Sequence, residues 1–138
     1  MRVVLLSAEY PPTPGGVGDY TQCLGAALAT RVSEIEIWTI RADMLCSIDP
    51  LLPEQIGTPI APATWSWTCW GAIRAGLRRI KPDVLHIQYQ TGAYHMHPAL
   101  NLLPARLRLD AQRLRVVVTA HDLLMPYLFP KAGPLSPG

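Results

Sequence analysis

The chain has 138 residues, 49% hydrophobic and 16% charged, which is enough apolar material for one domain with its own core and too little charge for a disordered chain. A formal net charge of +2 is far from the strongly basic balance of nucleic-acid binders. No stretch approaches the roughly 20 apolar residues of a membrane span, and the three cysteines, Cys23, Cys46 and Cys69, form no Cys-x-x-Cys pair, so a cytoplasmic protein with reduced thiols is expected, with peripheral membrane contact left open.

In chain order, Val3-Val4-Leu5-Leu6 predicts a short buried strand, too brief for a signal-peptide core. Glu9 to Tyr20 follows as a loop opening a helix. Pro11, Pro12 and Pro14 are expected to hold the chain extended, because proline fixes φ and lacks an N–H. Gly15 and Gly16 then let the backbone approach a ligand with no Cβ in the way. Asp19 is placed to cap a helix that runs through Leu24, Ala27 and Leu28 to about Arg31. Free N–H groups and a positive dipole end at that point favour a phosphorylated or carboxylated ligand. Thr21 stands where the dinucleotide fingerprint needs its third glycine, and no Gly-Lys-Ser/Thr of a P-loop follows.

Ile35, Ile37 and Ile40, with Trp38 and Thr39, make a second strand. Residues 41–63 carry Pro50, Pro53, Pro59 and Pro62 and form a long connection, with a short edge strand at Thr58-Pro59-Ile60. From Trp65 the apolar residues Trp70, Ile73, Leu77 and Ile80 fall at steps of three and four, one face of a helix that Lys81-Pro82 ends. Asp83 to Gln88 predicts a strand buried on both faces. After a polar, aromatic loop from Tyr89 to His97, Pro98 opens a helix carrying Leu100, Leu103 and Leu107, which Pro104 is expected to end or kink. Val116 to Thr119 is the last strand. Alternating strands and helices with right-handed crossovers predict an α/β, Rossmann-like three-layer sandwich: a parallel sheet covered on both faces. Residues 1–125 form this domain and 126–138 a loop or tail.

Three segments leave carboxyl ends of parallel strands and so share one edge: the glycine loop, the stretch from Gln88 to His95, and Thr119-Ala120-His121-Asp122. His121 has a plain reading, a packed ring at a strand end, and a sharper one as a donor or acceptor titrating near neutrality. Asp122 orients it, accepts from a ligand hydroxyl, or caps a short turn. Gln88, Tyr89, Gln90, Tyr94 and His95 suit a pocket for a hydroxylated ligand, with amides for hydroxyls and rings for its apolar faces; Asp19 and Tyr20 border the same space. His86 reads as a core histidine. His95-x-His97 lacks a third metal ligand, and no metal is expected. Arg106, Arg108, Arg113 and Arg115 are either a solvated surface or a contact for an anionic lipid or phosphorylated acceptor.

Pro11-Pro12 followed by Gly15-Gly16-Val17-Gly18, opening a helix after the first strand, resembles the start of the two-domain, nucleotide-sugar-dependent glycosyltransferases of GT-B architecture, most of all the retaining group 1, or family 4. The resemblance implies that Gly15 and Gly16 lie by the donor diphosphate and that His121, ending an apolar strand in Thr-x-His-Asp, contacts the transferred sugar. It implies a nucleotide-diphosphate sugar as co-substrate with no further cofactor, a sugar or lipid-linked acceptor held among Asp19, Tyr20, Gln88, Tyr89, Gln90, Tyr94, His95 and Asp122, and a role in carbohydrate biosynthesis. Thr13 and Pro14 stand where glycogen-synthase relatives carry a lysine, which argues against glucan polymerisation. The resemblance covers only the family's N-terminal, acceptor-side half. No Glu pair matches the family's donor-binding spacing, so a donor-binding C-terminal domain is the expected missing partner, and the chain alone is expected to be inactive. No Asp-x-Asp of the manganese-dependent enzymes occurs.

Two rivals stand beside this. One is a stand-alone module that binds a sugar phosphate or a protein without turnover. The other is a dinucleotide-dependent oxidoreductase, which needs an acidic residue ending the second strand, where Ile40 is followed by Arg41.

Overall fold

The computed structural model describes residues 1–39, 65–95, 97–110 and 113–122. The expected edge strand at 58–60, Ile40, Cys46 and the tail from 126 lie outside these. Seven elements alternate along the chain: β1 (Arg2–Ser7), α1 (Gly16–Ala29), β2 (Glu34–Trp38), α2 (Cys69–Ile80), β3 (Val84–Tyr89), α3 (Ala99–Arg108) and β4 (Arg115–Ala120). The strands form one sheet in the order β2-β1-β3-β4, every pair parallel. The fold is therefore α/β and Rossmann-like, with β1 and β3 leaving the sheet centre in opposite directions, the point where such folds open a crevice.

Alternation along each strand sorts side chains into two layers. Val4, Leu6, Trp38, Leu85 and Ile87 face α2 and α3, where they meet Ile73, Leu77, Leu100, Leu103 and Leu107. Val3, Leu5, Ile35 and Ile37 face the other way and pack against Leu24 and Leu28 of α1. Each fully buried Leu or Ile contributes about 1.5–3 kcal/mol. The three- and four-residue spacing of Ile73, Leu77 and Ile80 puts all three on one buried stripe of α2, as the sequence predicts. Helix α2 ends at Lys81, which takes a left-handed conformation (φ 50°) and returns its N–H to the Leu77 carbonyl.

Several expectations are corrected. Helix α1 starts at Gly16 with Gly15 as its cap and no side-chain cap, so Asp19 lies inside the first turn. It complements the helix dipole there and does not cap. The Pro11–Pro12 segment is not extended: the peptide between them is cis, and the Thr13 N–H closes a turn on the Tyr10 carbonyl at 3.1 Å. Pro104 does not end α3, which continues to Arg108 with Leu100, Leu103 and Leu107 buried. Packing of that stripe outweighs the one lost helical hydrogen bond.

The described residues also do not cover the sheet on both faces along its whole width. β4 reads Arg-Val-Val-Val-Thr-Ala, yet Val117 is 44% and Val118 48% exposed among the described residues. Toward α2 and α3, β3 is apolar through Leu85 and Ile87, and on the α1 side Val84 at its amino end joins the hydrocarbon layer. Toward α1 β3 also presents His86 and Gln88, both hydrogen-bonded to β4 or the residue that follows it.

The amino ends of the strands are locked together. Asp83 donates its N–H to the Arg2 carbonyl, accepts the Arg2 N–H on Oδ2 at 2.7 Å, and offers its own carbonyl to the Arg115 N–H. Asp110 joins α2 to the end of α3 by accepting two bonds from Arg74 and one from Arg106, and Arg74 above all holds its carboxyl below the usual range.

Candidate functional site

The three expected segments do leave one rim, at the carboxyl ends of β1, β3 and β4. At its centre stands His121, the residue after β4. Its N–H continues the sheet ladder to the Tyr89 carbonyl at 2.9 Å, which fixes the backbone beneath the ring. Its Nε2 lies 2.9 Å from Oε1 of Gln88. A carbonyl oxygen only accepts, so with the amide placed this way Nε2 is the donor. The ring of Tyr20, from the second turn of α1, meets the imidazole edge-on with centroids 4.9 Å apart. An exposed face of α1 and the end of β4 thus touch through these two rings.

Gln88 is fully buried, and its amide nitrogen has no acceptor in the protein. Buried amides seldom leave donors unspent, so this one marks the rim as polar by design rather than as a sealed core. Beneath it the row continues: His86 Nε2 is 2.7 Å from the Thr119 hydroxyl, and Thr21 of α1 donates to the Val17 carbonyl with Ser7 Oγ 3.3 Å away. Burial, and secondarily the charge of His121, hold the His86 pKa below its ordinary value. His86 is therefore a satisfied histidine, as expected, lying one pair below the rim.

The helix N-terminus supplies the other half of the site. Asp19 makes the first α1 backbone bond, to the Gly15 carbonyl at 3.1 Å, which leaves the N–H groups of Gly16, Val17 and Gly18 without helical acceptors. A Cβ built on Gly16 meets nothing within 4 Å, so its surroundings are open. One built on Gly15 runs into the Glu9 carboxylate, an anion already lying beside the helix end. Gly18 differs from both: a Cβ there would come within 3.2 Å of the Tyr10 backbone. Its absence lets α1 lie against the loop, a structural duty that the motif Gly-Val-Gly does not announce.

The remaining candidates divide. Tyr94 is a core residue. Its ring packs edge-on against Trp65 at 4.8 Å, and its hydroxyl donates toward the Gln88 carbonyl (3.0 Å) and the Leu6 carbonyl (3.3 Å), while burial pushes its pKa up. It offers no surface to an acceptor; it ties β1 to β3 just under the rim. Tyr89 points toward α3, donating to Asn101 at 2.8 Å and stacking on Tyr94, on the face of the sheet away from His121. Gln90 is half-buried and His95 exposed, the latter in a left-handed turn (φ 55°). His97 accepts the Ala99 N–H on Nδ1 and lies edge-on to the exposed Trp67. Asp122 follows His121 at the rim, half-buried.

Among the described residues no group of three or more His, Cys, Asp or Glu is arranged to hold a metal ion, and none of the helices is long and apolar enough to cross a membrane. Arg41, where a dinucleotide ribose would be read, lies outside them. One more property of the rim escaped sequence reasoning. Its charged residues are Glu9, Asp19 and Asp122, and no described lysine or arginine stands there.

A family model described as Glycosyltransferase Family 4 matches residues 14–136, from Pro14 in the glycine loop past the rim histidine. No curated protein and no solved structure matches the chain.

Proposed function

Since the chain belongs to Glycosyltransferase Family 4, we propose that it is the acceptor-side domain of a retaining, metal-independent transferase that moves a sugar from a nucleotide-diphosphate sugar to an acceptor hydroxyl. The observation that carries this is the meeting, at one rim, of a helix end with three N–H groups that have no helical acceptor and an imidazole braced by Gln88 and Tyr20. The N–H groups of Gly16 to Gly18 suit a phosphate oxygen. The Nδ1 lone pair of His121 suits a sugar hydroxyl, and after protonation the same atom donates to a phosphate oxygen. Catalysis on this account is positioning and charge stabilisation, worth several powers of ten without a covalent step on the protein.

Among the described residues the rim carries carboxylates and no cation, which fits a diphosphate whose charge is met chiefly by a donor-binding partner domain. The same observation favours a second reading, a module that holds a neutral glycan or a protein without turnover and needs no cation. Titration of the chain with a nucleotide-diphosphate sugar and, separately, with neutral acceptor sugars, following the amide resonances of Gly16 and His121, tells the two apart. The transferase reading expects no sugar transfer by the chain alone and, in the two-domain enzyme, a loss of roughly 100-fold or more for His121→Ala. Transfer undiminished by His121→Ala sinks the assignment.

A further inference from the structure

Charge in this fold is segregated by height. Every described lysine and arginine except Arg74 lies toward the amino ends of the strands, the base opposite the rim. The last turn of α2 and its cap bring Arg78, Arg79 and Lys81; the end of α3 and the start of β4 bring Arg108, Arg113 and Arg115. None of these six has an ion-pair partner among the described residues, whereas Arg2, Arg74 and Arg106 are already engaged by Glu34 and Asp110. Arg78, Lys81 and Arg113 line a common cleft of about 440 Å³ floored by Leu77, Pro82 and Leu114. The Asp83 carboxylate also lines it, with one oxygen taken up by the Arg2 N–H. Beside the arginines of the α3 end, Leu109 is 78% exposed.

We propose that this base is a docking face for an anionic phospholipid surface, with a headgroup phosphate entering the cleft between Arg78, Lys81 and Arg113. Three cations around one carboxylate leave the cleft net positive, and at about 440 Å³ it has room for a whole phosphodiester headgroup. A bare leucine among arginines suits the boundary between headgroups and acyl chains, where an apolar tip is buried while guanidinium groups stay at the phosphates. Nucleic acid is the less fitting partner: no described aromatic ring stands among these cations to stack on a base, and the chain's net charge is only +2. The contact is peripheral, since none of the described helices spans a bilayer. Docked in this way, the molecule turns its rim toward the aqueous side.

Co-sedimentation of the full chain with phosphatidylcholine vesicles, with and without 30% phosphatidylglycerol (roughly the anionic fraction that gives a negative surface potential), tests this. Binding is expected only with the anionic lipid and is expected to fall as salt rises. Arg78→Gln with Arg113→Gln should weaken it by roughly tenfold or more, each basic residue at the surface counting for about one power of ten or slightly less. Cys23→Glu with Ala26→Glu, exposed on α1, lowers the net charge equally and should leave binding within roughly twofold if the base is the contact. Failure to bind anionic vesicles at low salt overturns the proposal. Equal weakening by the two double variants does so too, since net charge then suffices, as does equally tight binding of a duplex oligonucleotide at the same salt.

Discussion

The two layers that flank the sheet are built differently. Toward α2 and α3 hydrocarbon continues to the rim, where Trp65 and Tyr94 close it. Toward α1 the hydrocarbon gives way over β3 and β4 to pairs of polar groups, His86 with Thr119 and Gln88 with His121. One layer holds the fold together, and the other gives up packing to present an imidazole. A large-to-small change should therefore be expensive on the first side, while on the second its cost depends on whether a glycine or a polar pair is touched.

The largest effect is expected from Leu77→Ala, fully buried between α2 and the sheet. It should lower the unfolding free energy by about 3 kcal/mol, the middle of the range for such cavities, as read from urea denaturation. A loss under about 1 kcal/mol would show that the α2 layer is looser than described. Next come two glycines two residues apart. Gly18→Ala forces a Cβ against the Tyr10 backbone and should destabilise by about 1 kcal/mol after its gain in helix propensity. Gly16→Ala meets open space and should be neutral or slightly stabilising, yet weaken ligand binding at the rim. Identical effects at the two positions would erase the distinction between a packing glycine and a ligand-facing one.

The smallest effect concerns His86. Its folded pKa lies below the unfolded value near 6.5, so as pH falls through that range the unfolded chain takes up the proton first. Stability should be full above about pH 7 and decline on acidification toward the folded pKa. His86→Gln should remove that share of the decline. Thermal melts of both proteins at pH 7.5 and 5.5 measure the difference, and parallel pH dependence would count against it.

Much of this was legible in the amino-acid order. Apolar runs and three- and four-residue steps marked every described element, and the shared rim followed from parallel strands alone. What stayed hidden depended on neighbours distant in sequence. Val117 and Val118 look like Leu85 and Ile87, because a buried strand and an edge strand spell alike until the sheet order is known. Tyr94 carries the same hydroxyl whether it faces a sugar or the Leu6 carbonyl. The start of α1 was misplaced because a glycine can cap a helix without a side chain to reveal it. Pro104 broke a local rule that the burial of Leu100, Leu103 and Leu107 overrode.

The described lysines and arginines at the base outnumber the carboxylates of Glu34, Asp83 and Asp110 beside them, while the rim holds Glu9, Asp19 and Asp122, so the described part of the molecule has an electric moment along its strands. An approaching anion is steered toward the base and repelled from the rim. Capture of a negatively charged ligand at the rim should therefore speed up, not slow down, as added electrolyte shortens the reach of that field. A rising association rate with ionic strength is the opposite of the usual signature of phosphate binding, and stopped-flow mixing can read it.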